Sequence, residues 1–229
     1  MNHNRPLGLP VFRLFSAVIL CLSALSVSAA TSSGGIASLV EQLQLHYQKT
    51  DSFTADFVET LSSPGGQPRE RKGTVAYRRS GMIRWEFKDP QQPETIVADG
   101  TTLFDYDPGL NQVMEMPLAS AFKTRSAAAF ILGVGNLQRD FKVTVMPSAP
   151  DDGLKHLLVI PKDGGDKIEL GVDTTTLNIM SLHIVDALGN ATELKFSAIQ
   201  RNVPLESSQF KFTPPAGADI VKSGPPSGS

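Results

Sequence analysis

The chain has 229 residues, of which 41% are apolar and 19% charged, and its formal net charge at pH 7 is −2. These values are typical of a globular protein, and the length suits one domain or at most two small ones. A weakly acidic chain without a basic run is a poor candidate for binding nucleic acid. Sixteen prolines and nineteen glycines favour a β-rich domain with many turns over a helical bundle.

Residues 1–30 predict a secretory signal peptide. Two arginines precede an apolar run over Leu14–Val27, and small residues follow it where a signal peptidase would cut. We expect cleavage after Ala29 or Ala30. An uncleaved N-terminal anchor is the less favoured alternative, since the run is short for a bilayer span. Without residues 1–30 the chain keeps 19 of its 21 basic residues and all 23 acidic ones, a net charge of −4.

Cys21 is the only cysteine and lies inside this apolar run. Leu20 precedes it, whereas an acylated lipoprotein cysteine would follow a small residue at the end of the run. The mature chain is therefore expected to carry no lipid anchor, no disulfide and no metal thiolate.

A helix with one apolar face is predicted directly after the leader. Its apolar residues recur at the i, i+3, i+4, i+7 spacing of such a helix and must dock on another apolar surface. We expect that surface to be the open face of a sheet. The residues are Ile36, Leu39, Val40, Leu43 and Tyr47.

An antiparallel meander is predicted between Gly73 and Met116, because its runs and turns are too short for parallel crossovers. The Asp99-Gly100 pair is typical of a two-residue hairpin. Within the run Met82–Phe87, one row of alternate side chains is apolar (Ile83, Trp85, Phe87) and the other is mostly polar. The predicted strands up to Met116 are Phe53–Leu61, Glu70–Arg78, Met82–Phe87, Thr95–Ala98, Thr101–Tyr106 and Gln112–Met116.

The second half of the chain predicts one or two short helices from about Leu118 to Leu132, followed by more strands. Alanines favour the helix, and glycines at 133 and 135 end it. The whole chain then folds as one large, strongly curved antiparallel sheet of about eleven strands, covered by helices at its open side. Residues 222–229 are expected to form a disordered tail. The later strands are Phe141–Val145, Leu154–Ile160, Lys167–Val172, Ile179–Val185, Thr192–Ile199 and Gln209–Phe212.

No pattern of catalytic or metal-binding residues is visible in the sequence. The mature histidines, at 46, 156 and 183, are isolated from one another and favour structural or surface roles over metal ligation. Asp99, Asp105 and Asp107 are close in sequence, but Asp99 and Asp107 are better explained by the turns that they begin. We therefore expect no enzyme, no catalytic residue, no metal and no cofactor.

Large apolar side chains offer binding surface instead. Periodicity does not distinguish a filled core from a cavity that takes a ligand, and both interpretations stay open at this point. Methionines such as Met82, Met114, Met116 and Met146 suit an adaptable apolar wall.

The chain resembles the periplasmic outer-membrane lipoprotein carrier family of the LolA type, over nearly all of its mature length. The series of motifs is fairly specific, although no single motif is decisive. The matching residues are Phe53 to Phe57 (FTADF), Gly73 to Tyr77, Arg79, Arg84 to Phe87 (RWEF), Pro90, Val97 to Gly100 (VADG), Leu103, Tyr106 to Pro108 (YDP), Leu110, Gln112-Val113, Thr124 to Leu132, Pro161-Lys162, Asp186, Gly189 and Phe210 to Gly217 (FKFTPPAG).

The resemblance implies a mainly β (α+β) fold, an unclosed barrel of about eleven antiparallel strands with a helical lid. It implies one carrier domain over residues 31–221, soluble in the periplasm and monomeric. Its cavity takes up acyl chains of lipoproteins from an inner-membrane ABC transporter and hands them to an outer-membrane receptor. The cavity residues would be Phe57, Ile83, Trp85, Phe87, Ile96, Phe104, Met114, Met116, Phe122, Phe130 and Ile131.

In the family, an arginine near the start of the Arg-Trp strand hydrogen-bonds to the lid helices and holds the empty form closed. Aligned on Trp85, this latch falls on Arg79, with Arg78 as the alternative, because Ser80 stands where the family usually has proline. The runner-up function is a lipid- or lipoprotein-sensing envelope regulator, or another hydrophobic-ligand module of this fold. The outer-membrane receptor is disfavoured because it would need a lipid-anchored cysteine.

Overall fold

The computed structural model describes residues 30–88, 93–123, 136–147 and 150–223, with side chains from residue 35 onward and without those of 122 and 123. A 3₁₀ helix spans Ser207–Phe210. The α-helices are α1 (Ala30–Gln48), α2 (Leu118–Lys123) and α3 (Leu137–Asp140). The strands are β1 (Ser52–Ser62), β2 (Arg69–Arg78), β3 (Met82–Phe87), β4 (Glu94–Asp99), β5 (Thr102–Asp107), β6 (Gln112–Pro117), β7 (Phe141–Val145), β8 (Lys155–Pro161), β9 (Lys167–Asp173), β10 (Asn178–Val185), β11 (Ala191–Arg201) and β12 (Asp219–Lys222).

All twelve described strands form one sheet, in the order β12-β6-β5-β4-β3-β2-β1-β11-β10-β9-β8-β7. Every pairing is antiparallel except that of β12 with β6. Strands β12 and β7 are the two edges, so the described sheet does not close on itself. The predicted mainly β fold with an unclosed, curved antiparallel sheet is confirmed.

Three details of the strand prediction were wrong. No strand forms at Gln209–Phe212: the first two of these residues end the 3₁₀ helix, which is held by a capping box between Glu206 and Gln209, and the other two lie in no element. Strand β12 was missed, because its four exposed residues show no apolar alternation and gain their hydrogen bonds from β6. The two-residue loop of the Asp99-Gly100 hairpin is shifted by one position, since β4 ends at Asp99 and β5 begins at Thr102, which leaves Gly100 and Thr101 between them.

Helix α1 docks on one half of the sheet, as its apolar spacing predicts. Val40 and Leu43 of α1 lie in a buried aliphatic cluster with side chains of β7 to β10. Leu137 of α3 completes this cluster, and its N–H donates to Gln44 Oε1 at 2.7 Å. We call these residues the aliphatic cluster: Val40, Leu43, Leu137, Phe141, Leu157, Val159, Ile168, Leu170, Val172, Ile179 and Leu182.

The same side of the sheet is strongly concave across β3, β2, β1 and β11. Trp85 on β3 and Phe196 on β11 are three strands apart, about 14 Å across a flat sheet. Their ring centroids are nevertheless only 6.2 Å apart. The two rings can meet because the sheet curves inward. Val75 and Ala55 follow Trp85 across the sheet, and Phe57 and Gly73 follow Phe196 from the other side.

The C-terminal segment covers the opposite, convex face. Phe210 is buried, and the ring of Phe212 lies 5.5 Å from that of Phe104 on β5. Arg84 Nη1 donates to the carbonyl oxygen of Gln209. The fully buried Val97 lies on this convex face, since it pairs with Arg84 and Phe104. The chain then reaches the sheet edge as β12.

Several predictions lie partly or wholly outside the described residues. Helix α2 confirms the start of the helix predicted from Leu118, and residues 124–132 are not described. The predicted signal peptide and most of the predicted tail are also not described, although Lys222 is the last residue of β12. In the part of the chain that is described, no helix is both long and apolar enough to cross a bilayer.

Candidate functional site: a concave aromatic face

Strands β1 to β6 and β11 turn one row of side chains each toward the concave side. Cross-strand register aligns Phe57 with Gly73 and Phe87, and Val75 with Trp85 and Ile96. Four aromatic rings meet there: Phe57 lies 4.6 Å from Trp85 and 5.2 Å from Phe87, and Trp85 packs edge-on against Phe196. We call Phe57, Trp85, Phe87 and Phe196 the aromatic cluster.

Gly73 makes this cluster possible. A Cβ atom at Gly73 would lie 2.5 Å from Cζ of Phe57 and 2.0 Å from the carbonyl oxygen of Glu86. The ring of Phe57 therefore occupies the space that a side chain on β2 would need. It is 2% exposed there and bridges β1 to the rings of β3.

Most of the predicted cavity residues within the described part lie on this concave face. Phe57, Ile83 and Phe87 are buried, and Trp85 and Ile96 are half-buried beside them. Register places Met116 opposite Leu103, and Met114 opposite Asp105, farther toward the β12 edge. Phe122 lies in α2 with its side chain undescribed, and Phe130 and Ile131 lie outside the described residues.

The prediction that Phe104 lines the same surface was wrong. Along β5, Leu103 and Asp105 point to the concave side, since they pair with Ala98 and Ile96. Phe104 and Tyr106 therefore point to the convex side, where both rings contact Phe212. The more apolar row of β5 faces outward because the C-terminal segment buries it there.

A small apolar cavity of about 30 Å³ lies where the C-terminal end of α1 crosses the concave face. Sites for small molecules usually measure roughly 300–1,000 Å³, so an acyl chain can enter only if neighbouring groups move. The indole Nε1 of Trp85 is buried without a hydrogen-bond partner among the described residues. The cavity is lined by Tyr47, Thr50, Phe53, Ala55, Trp85, Asn178, Ile179, Phe196, Ile199 and Arg201.

Tyr47 and His46 fix the end of α1 beside this cavity. The backbone N–H of Ile179 donates to the Tyr47 hydroxyl at 3.0 Å, and burial raises the pKa of Tyr47 to about 12. Arg201 Nη1 lies 2.6 Å from His46 Nε2. Partial burial and the charge of Arg201 lower the pKa of His46. The histidine therefore favours its neutral form, which accepts a hydrogen bond from the arginine.

Arg79 binds the same helix end from the β2–β3 turn. Its guanidinium donates to the carbonyl oxygens of Gln48 and Thr50, and its Nε lies 2.7 Å from Asp51 Oδ1. Cations are favourable at a helix C-terminus, where carbonyl groups lack helical partners. The neighbouring Arg78 instead donates to Ser207 Oγ before the convex-face segment. The described contacts of Arg79 are thus to α1 and its following loop.

An ionic cluster at the far end of the concave face was not predicted. Arg71 on β2 contacts Glu59 of β1 at 2.6 Å and Glu94 of β4 at 2.5 Å. Its guanidinium also lies 3.8 Å from the ring centroid of Phe87, a cation–π contact. The alternation Phe53, Ala55, Phe57, Glu59 carries the signal, because it places an acid in an inward-facing row.

Two of the three aspartates that the sequence singled out, Asp99 and Asp107, serve turns, and Asp105 lies within β5. Asp99 Oδ1 accepts from the N–H groups of Thr101 and Thr102, and these bonds lower the pKa of Asp99 although partial burial opposes the shift. Asp107 Oδ1 accepts from Gly109 in the next turn. Within the described ranges, no three His, Cys, Asp or Glu side chains come together as metal ligands.

An open sheet with a concave aromatic face defines a class of β-proteins that present one apolar surface to a hydrophobic ligand. The model of the family "Outer membrane lipoprotein carrier protein LolA" matches residues 48–213 of this chain. The outer-membrane lipoprotein carrier protein of Methylobacillus flagellatus is 33% identical over 211 residues, which cover 90% of this chain and 98% of the relative. The chain belongs to this family.

A second curated relative agrees with this assignment, and one solved structure has a similar fold. The outer-membrane lipoprotein carrier protein of Dechloromonas aromatica is 35% identical over 189 residues, covering 81% of this chain and 88% of the relative. An uncharacterized conserved protein from Thermus thermophilus has a similar fold, with a TM-score of 0.51 and 17% identity, covering 84% of this chain and 99% of that one. The structural similarity concerns the fold alone.

Proposed function

We propose that this protein is a periplasmic carrier of lipoproteins, with residues 31–221 as its carrier domain after signal-peptide cleavage. It takes lipoproteins from an inner-membrane ABC transporter, shields their acyl chains against the concave aromatic face, and delivers them to an outer-membrane receptor. It does so without catalysis, as a monomer. Family membership gives the class of cargo. The observation that supports the site is the aromatic cluster on a concave surface with a cavity at the end of α1.

Burial of acyl chains is so favourable that the carrier needs a mechanism to release its cargo. Each buried methylene contributes about 0.8 kcal/mol, so one chain of ~15 carbons would contribute about 12 kcal/mol. Two or three fully buried chains would exceed the practical ceiling near ~20 kcal/mol and would not be handed on. A carrier must therefore bind the acyl chains incompletely, or have a closed, empty form that is stable enough to compete with its cargo.

We propose that Arg79 is the latch of this closed form, rather than Arg78. The cavity of about 30 Å³ is too small for a chain, so α1 or its neighbours must move when cargo enters. Arg79 holds the end of α1 next to that cavity through Gln48, Thr50 and Asp51. Opening therefore breaks charge-assisted hydrogen bonds, and closing re-forms them as cargo leaves.

Arg79→Leu is expected to load lipopeptide but to release it poorly. The Arg79 side chain is 50% exposed, so solvent screening limits its contribution to about 1 kcal/mol. We expect about a fivefold rise in affinity for a triacylated lipopeptide and a slower transfer to acceptor membranes. Emission from Trp85, the only tryptophan, measures binding of the lipopeptide.

Arg78→Leu is the matched control, because that arginine contacts the 3₁₀ helix and not α1. If Arg79→Leu transfers lipopeptide as fast as the unaltered protein, the latch assignment is wrong. If the unaltered protein does not distinguish the lipopeptide from the same peptide without acyl chains, the carrier function itself fails.

A further inference from the structure

The concave face ends in the ionic cluster Glu59–Arg71–Glu94, and stability alone does not account for it. The three side chains are only 11%, 12% and 23% exposed. Moving such charges out of water opposes folding, and well-packed apolar replacements are often as stable or more stable. Two carboxylates also share one guanidinium, so the cluster retains a formal charge of −1.

The cluster lies directly in line with the apolar surface. Glu59 continues the inward row Phe53, Ala55 and Phe57 of β1, all three of which are buried. In the strand register, Arg71 of β2 lies opposite Glu59 of β1, and Glu94 of β4 lies opposite Phe87 of β3. Along β1, β2 and β4, charged side chains thus close the apolar face at this end, whereas Leu194 of β11 pairs with Glu59.

The groups that would move when cargo enters lie at the opposite end of the concave face. Arg79, the end of α1 and the small cavity all lie near Phe53, the first inward residue of β1. Glu59 lies six positions after Phe53, which corresponds to about 20 Å along a strand. The hydrocarbon of one bilayer leaflet is about 15 Å deep, half of the ~30 Å core. The distance from Phe53 to the ionic cluster is therefore comparable with, and slightly longer than, the depth that one acyl chain spans in a leaflet.

We propose that Glu59, Arg71 and Glu94 form the polar end wall of the acyl site and set the longest chain that the protein shields. This inference rests on the proposed carrier function. A chain that enters beside α1 and follows β1 meets the guanidinium of Arg71 with its methyl end. Further methylenes gain no burial there, because they would have to separate or desolvate the ion pairs.

The test is the dependence of affinity on acyl length. Synthetic diacylated lipopeptides with chains of about 10 to 20 carbons, bracketing the length of a leaflet chain, are titrated against the purified protein by Trp85 emission. For the unaltered protein, affinity is expected to rise up to about fourfold per added methylene and then to reach a plateau. In the variant Glu59→Leu/Arg71→Met/Glu94→Leu, the plateau should move to chains at least about two carbons longer, since the wall is now apolar.

The matched control is Arg84→Met/Glu86→Leu, an Arg–Glu pair at 2.6 Å on the convex face of β3. It should leave the plateau in place. Thermal melting checks folding of each variant. If the triple variant does not fold, Glu94→Leu alone replaces it, since this keeps the Glu59–Arg71 pair and should shift the plateau by a smaller amount.

Two results would overturn the inference. One is a plateau at the same chain length in the wall variants and the unaltered protein, with binding otherwise intact. The other is affinity that rises through the longest chains without a plateau in the unaltered protein. Failure of every lipopeptide to bind the unaltered protein would instead overturn the proposed function.

Discussion

The two halves of the concave face are built from the same kind of strands but are filled differently. Over β7 to β10, aliphatic side chains of α1 and α3 fill the surface, and Leu43, Leu137 and Leu157 have no exposed area. Over β1 to β6 and β11, five of the ten residues in the buried cluster are aromatic, and Leu118 is its one member from a described helix. The indole N–H of Trp85, which has no partner among the described residues, belongs to this second half, and the cavity lies where the two halves meet.

This difference suggests that the two halves of the sheet have different roles. Branched aliphatic side chains interlock closely, so the first half holds α1 and supplies stability. The flat rings of the second half offer a large apolar area. A ligand can cover them without a change in the strands. Changes to the first half should therefore affect folding, and changes to the second half should affect binding.

The largest effect on stability is expected for Leu43→Ala in the aliphatic cluster. Removing a fully buried leucine leaves a cavity and should lower the free energy of unfolding by about 3–4 kcal/mol. Urea denaturation measures this loss. At temperatures where the variant is folded, its affinity for lipopeptide should stay within about twofold of that of the unaltered protein. A large loss of affinity in the folded variant would mean that the two halves are not separable.

Gly73→Ala should disturb the aromatic half instead. The new Cβ would meet the backbone oxygen of Glu86, which has no freedom to turn away, and the ring of Phe57. We expect a loss of stability of about 1–3 kcal/mol, together with a clear loss of lipopeptide affinity because Phe57 must leave Trp85. Gly35→Ala is the control, since a Cβ at this helical position meets nothing within 4 Å. Unchanged Trp85 emission in Gly73→Ala would contradict the role given to this glycine.

The smallest effect concerns His46, which lies between the two halves at the end of α1. Its pKa is lowered in the folded protein, first by burial and then by Arg201, from an ordinary value of 6.5. Below pH 6.5 the unfolded chain therefore binds the proton more readily than the folded one does. The free energy of unfolding should fall slightly as the pH is lowered from 6.5 through the folded pKa, and should be insensitive to this group above pH 6.5.

His46→Gln should remove this part of the pH dependence. Denaturation curves of both proteins at several pH values between about 5 and 8 provide the measurement. The pH dependence from the carboxylates is common to both, so the difference between the two curves isolates the histidine. A variant whose stability falls as steeply as that of the unaltered protein would show that His46 does not contribute.

Much of the fold followed from local patterns. The bounds of β3 and β7 were predicted to the residue, and α1 was recognised from its apolar spacing. The prediction failed where the environment is supplied by distant segments. Phe104 looked like a lining residue, but Phe212, more than a hundred positions later, covers it on the convex face. Strand β12 depends in the same way on β6 for its hydrogen bonds.

In the candidate site too, some residues were predicted from the sequence and others are brought together only by the fold. Period-two alternation placed Trp85 and Phe87 in one apolar row, and the family resemblance added Phe57, whereas Phe196 joins them only because the sheet curves. The partners of Arg79 and the pairing of Arg71 with two acids are also products of register and curvature.

By itself, the sequence determined most of the strands, the docking helix and the apolar rows, because periodicity and turn chemistry act over a few residues. The series of short motifs added the family resemblance. Only the tertiary structure decided which half of the concave face α1 fills, which side of β5 is covered, and where charge closes the apolar surface. Those outcomes depend on contacts between residues far apart in the chain, and no local pattern encodes such contacts.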